Sequence, residues 1–138
     1  MLAGGITIMD GVPPILLADD EPLVRLSLKE ALQEGGYTVL EAADSRSALK
    51  AIDEAEELRG LVTDIRMGEG PDGWEVAHHA REKFPALAVV YVTGDSIAEW
   101  SANGVPQSTV LQKPFADAEL VTALANMLVA HPHMPPEG

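Results

Sequence analysis

Five residues of this chain could do chemistry together: the carboxylates of Asp19, Asp20 and Asp64, the hydroxyl of Thr93 and the ammonium of Lys113. Crowded carboxylates repel one another, and like charges push one of their pKa values upward. A hard cation relieves that repulsion. An all-oxygen set suits Mg²⁺, which takes few carboxylates and keeps several of its waters. The same cation could hold a phosphoryl oxygen, with Thr93 and Lys113 supplying a hydrogen bond and a further charge. Phosphoryl transfer asks mainly for positioning and electrostatic stabilisation. A carboxylate such as Asp64 can serve as its nucleophile and form an aspartyl phosphate. Singly, each residue has an ordinary reading: Asp19 as a helix cap, Lys113 as a solvated charge, Thr93 as a strand end. Their shared placement sets them apart.

Each of them stands where an apolar run stops. Ile15-Leu16-Leu17-Ala18 reads as a strand that ends in Asp19-Asp20-Glu21, and Pro22 suits the first position of a helix. Leu23, Leu26, Ala31 and Leu32 are expected on one helical face, and Gly35-Gly36 closes that helix. Tyr37-Thr38-Val39-Leu40 reads as the second strand, and Asp44 caps a helix through Ala48, Leu49, Ile52 and Ala55. Gly60-Leu61-Val62-Thr63 is a third strand, ending at Asp64. After a glycine-rich loop, Trp74, Val76, Ala77 and Ala80 mark a helix that must stop before Pro85. Residues 87–92 form the most strand-like run and stop at Thr93-Gly94. A short fourth helix is expected over residues 96–103. A weak last strand around Val110 and Leu111 precedes Lys113-Pro114-Phe115. Asp117 is expected to cap a final helix carrying Leu120, Val121, Leu124, Met127 and Leu128.

This is a βα unit repeated five times. Continuously apolar strands imply a parallel sheet covered by helices on both faces. Ligands of such α/β sheets bind beyond the carboxyl ends of the strands, so all five candidate residues should share one edge. The 138 residues suffice for one domain, expected over residues 13–130, with tails at 1–12 and 131–138.

A formal charge of −13, from 9 Lys and Arg against 22 Asp and Glu, disfavours nucleic acid as a partner. It disfavours anionic membrane surfaces too, and suits cations or basic protein surfaces. The absence of cysteine excludes disulfides and zinc–thiolate sites. No apolar run approaches the roughly 20 residues of a membrane span, and residues 1–10 lack the pattern of a signal peptide. A cytoplasmic location is expected.

Five segments together resemble the receiver family of two-component signalling, over nearly the whole chain from Ile15 to Leu128. They are Ala18-Asp19-Asp20-Glu21-Pro22, Val62-Thr63-Asp64-Ile65-Arg66-Met67, Asp72-Gly73-Trp74-Glu75, Val92-Thr93-Gly94 and Lys113-Pro114-Phe115. The resemblance implies a flavodoxin-like doubly wound (βα)5 fold with strand order 2-1-3-4-5. It implies that Asp64 accepts a phosphoryl group from a histidine kinase or histidine phosphotransfer protein. Asp20 would be a direct Mg²⁺ ligand, helped by Asp19, often through water, and the Arg66 backbone carbonyl would join them. Thr93 would hydrogen-bond the phosphoryl group and move on activation, beside a small Gly94, and Lys113 would ion-pair with the group. Lys113-Pro114 resembles the family's cis peptide bond. The output would be a downstream protein target, a homodimer remaining open, and the chain could be a stand-alone receiver or part of a hybrid kinase. Three departures stand out. Gly68 replaces a common proline in a loop one residue longer than usual. Val110 occupies the place of an aromatic that normally answers Thr93. The stretch from Thr93 to Lys113 is short and interrupted by Pro106, which implies a stunted fourth helix.

Gly68-Glu69-Gly70-Pro71-Asp72-Gly73 also fits the dinucleotide pattern G-x-G-x-x-G. It follows the third strand rather than the first, and Glu69 and Asp72 would oppose a pyrophosphate. His78 and His79, adjacent on one helix, face different directions and make a poor metal pair. Those two and His131 and His133 of the tail read as surface residues, and Trp74 and Trp100 as packing or interface residues. Two other functions compete: a phosphatase or phosphotransferase with an aspartyl intermediate, and a pseudo-receiver that only binds. Arg66 counts against the first, because such enzymes commonly carry an acid two residues after the nucleophile. The full Asp20, Asp64, Thr93 and Lys113 set counts against the second.

Overall fold

The computed structural model describes residues 12–130, so the expected tails at 1–12 and 131–138 lie, Val12 excepted, outside the described residues. Strands β1 (Ile15–Ala18), β2 (Val39–Ala42), β3 (Gly60–Asp64), β4 (Ala88–Thr93) and β5 (Ser108–Gln112) alternate with five helices. The helices are α1 (Pro22–Glu34), α2 (Ser45–Glu54), α3 (Gly73–Lys83), α4 (Trp100–Asn103) and α5 (Asp117–Ala130). A 3-10 turn, Ile97–Glu99, leads into α4. The sheet order is β2-β1-β3-β4-β5 and every pairing is parallel, the expected flavodoxin-like arrangement. Among the described residues, no helix is long and apolar enough to cross a membrane.

Alternation along the strands builds two cores, one on each face of the sheet. Ile15, Leu17, Val62, Val90 and Val92 pack against Leu28 and Leu32 of α1 and Leu120 and Leu124 of α5. Leu16, Ala18, Leu61, Val89 and Tyr91 pack against Ala48 and Ile52 of α2 and Trp74, Ala77 and Ala80 of α3. Trp74 packs against Tyr91 in a tilted arrangement, with ring centroids 4.7 Å apart. Burial pushes the Tyr91 hydroxyl up to about 12, and its oxygen accepts the Val105 N–H at 3.0 Å.

Register brings the strand ends level. Ala18 pairs with Thr63, Asp64 with Val92 and Thr93 with Gln112. Asp19 and Lys113 therefore leave the sheet beside Asp64 and Thr93. The chain moves outward from β1 to β2 and then crosses to β3 on the other side, which opens a crevice at that edge.

The expected elements are all present, with differences in detail. β2 starts at Val39, two residues late, because the Tyr37 N–H still bonds the Leu32 carbonyl at 3.0 Å as the exit of α1. Leu23 and Leu26 do not join the buried face of α1, which runs through Leu28, Ala31 and Leu32; they are 81% and 47% exposed. α5 opens at Asp117 rather than being capped by it, and the Glu119 carboxylate accepts the Ala116 N–H. Asp44 does cap α2, in a reciprocal box with Ser47. The fourth helix is short, as the spacing implied. Trp100 is half-buried against the core, and its indole N–H donates to Ser108 Oγ at 3.0 Å.

Candidate functional site

Asp19 leaves β1 fully buried. Its Oδ1 accepts the Glu21 N–H at 2.9 Å, its carbonyl accepts from Arg25 at 2.8 Å, and its Oδ2 faces Lys113. Asp20, next in the chain, is exposed. Asp64 ends β3 at 7% exposure, with Oδ1 accepting the Ile65 N–H at 2.7 Å. Lys113, tied to the end of β4 through its N–H to the Thr93 carbonyl, reaches back between the two buried acids. Its Nζ donates to Asp19 Oδ2 and Asp64 Oδ2, each at 3.2 Å.

Thr93 is buried, and its Oγ1 accepts the N–H groups of Asp95 at 3.2 Å and Ser96 at 3.0 Å. The oxygen thus holds the first turn after β4, while the hydroxyl keeps its proton to donate. Asp20, Asp64, Thr93 and Lys113 line an open pocket of about 390 Å³, joined by Glu21, Arg66, Gly94 and Asp95, with Asp19 buried behind it. A side chain at Gly94 would meet nothing within 4 Å, so its smallness leaves the pocket mouth open.

The electrostatics follow from this crowding. Burial raises the Asp64 pKa; Lys113 opposes that rise and Asp19 adds to it. Burial also works against charge on Lys113, but Asp64 and Asp19 outweigh it and the pKa rises. One carboxylate oxygen from each of Asp19, Asp20 and Asp64 lies within 4.8 Å of the others. Three hard oxygens with an exposed neighbour open to water fit the donor set of Mg²⁺. The single Lys113 charge does not balance three acids, and a divalent cation would.

The structure therefore brings Asp19, Asp20, Asp64, Thr93 and Lys113 to one edge, with Arg66 on the pocket wall. The Lys113–Pro114 peptide is cis. The sequence does not show what the Arg66 side chain touches. Its guanidinium donates to Ser96 Oγ at 3.1 Å and Glu99 at 3.3 Å and lies 3.5 Å from Asp95. It thereby straps the loop after β3 to the turn after β4. A hydrogen bond from Ser96, with Arg66 beside it, holds the Asp95 pKa below its ordinary value. No spacing in the sequence announces contacts 30 and 33 residues apart.

The glycine-rich loop is no phosphate cradle. The N-terminus of α3 is already occupied by its own Asp72 carboxylate, which accepts the Glu75 N–H at 3.0 Å. Gly73 is required for a different reason: a side chain there would overlap the Asp64 carbonyl. His78 meets the Asn103 carbonyl and His79 meets Asp53, so the pair diverges, as adjacency on a helix demands.

The fold and this edge define a class: a flavodoxin-like α/β domain whose strand ends gather an acidic, lysine-bridged pocket. The family model for the response regulator receiver domain matches residues 15–125, and the chain belongs to that family, a component of two-component signalling. It is 37% identical over 118 residues to the response regulator receiver protein CpdR of Brucella abortus, covering 84% of this chain and 97% of that one. It is 34% identical to part of the sensor kinase CckA of the same organism, covering 88% of this chain and 13% of the kinase. A receiver protein of Sinorhizobium medicae superposes with a TM-score of 0.85 at 39% identity, covering 89% of this chain and 99% of that one. The response regulator TrrA of Thermotoga maritima, solved in complex with Mg²⁺–BeF, superposes at 0.70 with 31% identity, covering 85% and 100%.

Proposed function

We propose that this domain, spanning residues 13–130, is a phosphorylation switch in which Asp64 accepts a phosphoryl group from a histidine kinase or histidine phosphotransfer protein. A carboxylate oxygen of Asp64 forms the new P–O bond as the N–P bond of the donor phosphohistidine breaks, its electron pair returning to the imidazole. The observation that carries this reading is the Lys113 ammonium, 3.2 Å from both Asp64 and Asp19. A cation already fixed beside the nucleophile stabilises phosphoryl charge without reorganising. Thr93 Oγ1 has a proton to donate to a phosphoryl oxygen. Mg²⁺, held by Asp19, Asp20, Asp64 and the Arg66 backbone carbonyl, would neutralise developing charge on that group. The Mg²⁺–BeF complex of TrrA supports this assignment.

The added charge, roughly −1.5 to −2 for a phosphorylated side chain, biases a pre-existing equilibrium. It acts on the turn that Thr93 and Arg66 hold, and the outcome is a changed protein–protein contact. A carboxylate that turns over only its own phosphoryl group makes this a regulatory domain rather than an enzyme for diffusible substrates. The acidic charge keeps nucleic acid and anionic membranes out of the partner set.

The test is intact-mass spectrometry after incubation with acetyl phosphate and Mg²⁺, wild type beside Asp64→Asn. A phosphoryl adduct on the wild type only is the expected result. No adduct on either, together with no binding of Mg²⁺–beryllofluoride, would favour a binding module without phosphorylation.

A further inference from the structure

Ser45, the first residue of α2, is fully buried, and its Oγ has no hydrogen-bond partner among the described residues. A hydroxyl both donates and accepts, and leaving it unmet in the interior disfavours the state that does so. Its neighbour is the loop after β3: a methyl built on Gly70 would lie 3.5 Å from Ser45 Oγ. That loop is pinned at both ends. The Gly73 N–H bonds the Ile65 carbonyl at 2.7 Å, and Asp72 caps α3. Between these anchors, Gly68 and Gly70 take φ of +77° and +97°, and a side chain at Gly68 would touch nothing within 4 Å. The same loop begins with Arg66, whose backbone carbonyl faces the cation in the reading above.

We propose that Ser45 is a positioning residue for cation loading: the loop shifts when the Arg66 carbonyl turns to the metal, and Ser45 Oγ then gains a backbone partner from residues 68–70. Satisfying that hydroxyl would tighten the loaded site. The start of α2 is thereby coupled to the pocket although no α2 residue lines it. This inference rests on the proposed Mg²⁺ site but names a residue outside it.

The test is calorimetric titration of the full chain with Mg²⁺, alone and with beryllofluoride, for wild type and Ser45→Ala, with thermal melts in metal-free buffer. Ser45→Ala is expected to melt at or above the wild type without metal, having shed an unpartnered hydroxyl. Its Mg²⁺ affinity is expected to fall about fivefold or more, which is about 1 kcal/mol at 1.4 kcal/mol per tenfold. Unchanged affinity in Ser45→Ala, or a lower metal-free melt for it, would each overturn the proposal. A wild type that binds no Mg²⁺ would instead overturn the cation site itself, and this inference with it.

Discussion

The Lys113 ammonium and the Asp64 carboxylate, 49 residues apart in the chain, lie 3.2 Å from each other at the carboxyl edge of the sheet. The contact joins the last strand to the middle one and places a fixed positive charge on the proposed nucleophile. It also leaves the pocket short of cations, because Asp19 shares the same ammonium at the same distance.

That shortage gives a pH dependence. Burial first, with Asp19 adding to it against Lys113, raises the Asp64 pKa in the native state. The native protein therefore holds this proton more tightly than the unfolded chain. As pH rises through the ordinary carboxylate value and on to the raised one, the unfolded state releases its proton first and stability falls. Asp64→Asn should accordingly stabilise the metal-free protein at pH 7, where the buried carboxylate is charged. The gain should vanish at about pH 3, below the ordinary aspartate value. Chemical denaturation at the two pH values checks it; a variant less stable than wild type at pH 7 would refute it.

Asp20 separates metal binding from folding. It is exposed, whereas Asp19 and Asp64 are buried and bonded to backbone N–H groups. Asp20→Asn should leave the metal-free melting temperature unchanged. Mg²⁺ raises stability by mass action in proportion to its affinity, and that rise should shrink in the variant. A loss of about tenfold or more in Mg²⁺ affinity is expected, since even residues behind a metal ligand typically contribute that much. Titration calorimetry with parallel melts tests both halves.

Most of the pocket was legible in the chain because an α/β sheet writes its ligand edge into the order of residues. Four of the five apolar runs stop at or just before a residue of the site, so Asp19, Asp64, Thr93 and Lys113 could be placed by where periodicity breaks. Tyr37 shows the limit of such reading: it is a good strand former whose N–H remains committed to Leu32, so β2 begins at Val39. Leu23 and Leu26 show another, since apolar character alone cannot say which helical face the sheet will cover. The contacts of Arg66 and Ser45 were illegible for a different reason. Their environments are made by residues distant in sequence, Glu99 for one and Gly70 for the other, and no local period encodes such meetings.

Arg66 supplies a kinetic prediction. Its guanidinium bridges Asp95, Ser96 and Glu99 across the pocket mouth while remaining largely exposed. Exposed ion pairs contribute little to stability, so Arg66→Ala and Asp95→Asn should barely move the melting temperature. Loss of the strap opens the mouth to water, and the phosphoryl group on Asp64 should hydrolyse several-fold faster in both variants. Following decay of the mass adduct after removal of acetyl phosphate measures this; half-lives equal to wild type would remove Arg66 and Asp95 from control of water access.

Leu23 and Leu26 point to how a protein donor approaches. Both are exposed on α1, at 81% and 47%, just after Glu21 of the pocket lining. Large apolar side chains beside a polar pocket suit burial against a partner, and they contribute little to the domain's own core. Leu23→Glu should therefore leave stability within about 0.5 kcal/mol, as for an ordinary surface change. Loading from acetyl phosphate should also be unchanged, because a small donor needs only the pocket. Transfer from a phosphorylated histidine protein should slow by tenfold or more, about 1.4 kcal/mol of lost partner contact. Comparing the two donors on the same variant isolates the surface from the chemistry. Equal slowing with both would place the defect in the pocket, and no slowing with either would exclude this end of α1 from donor docking.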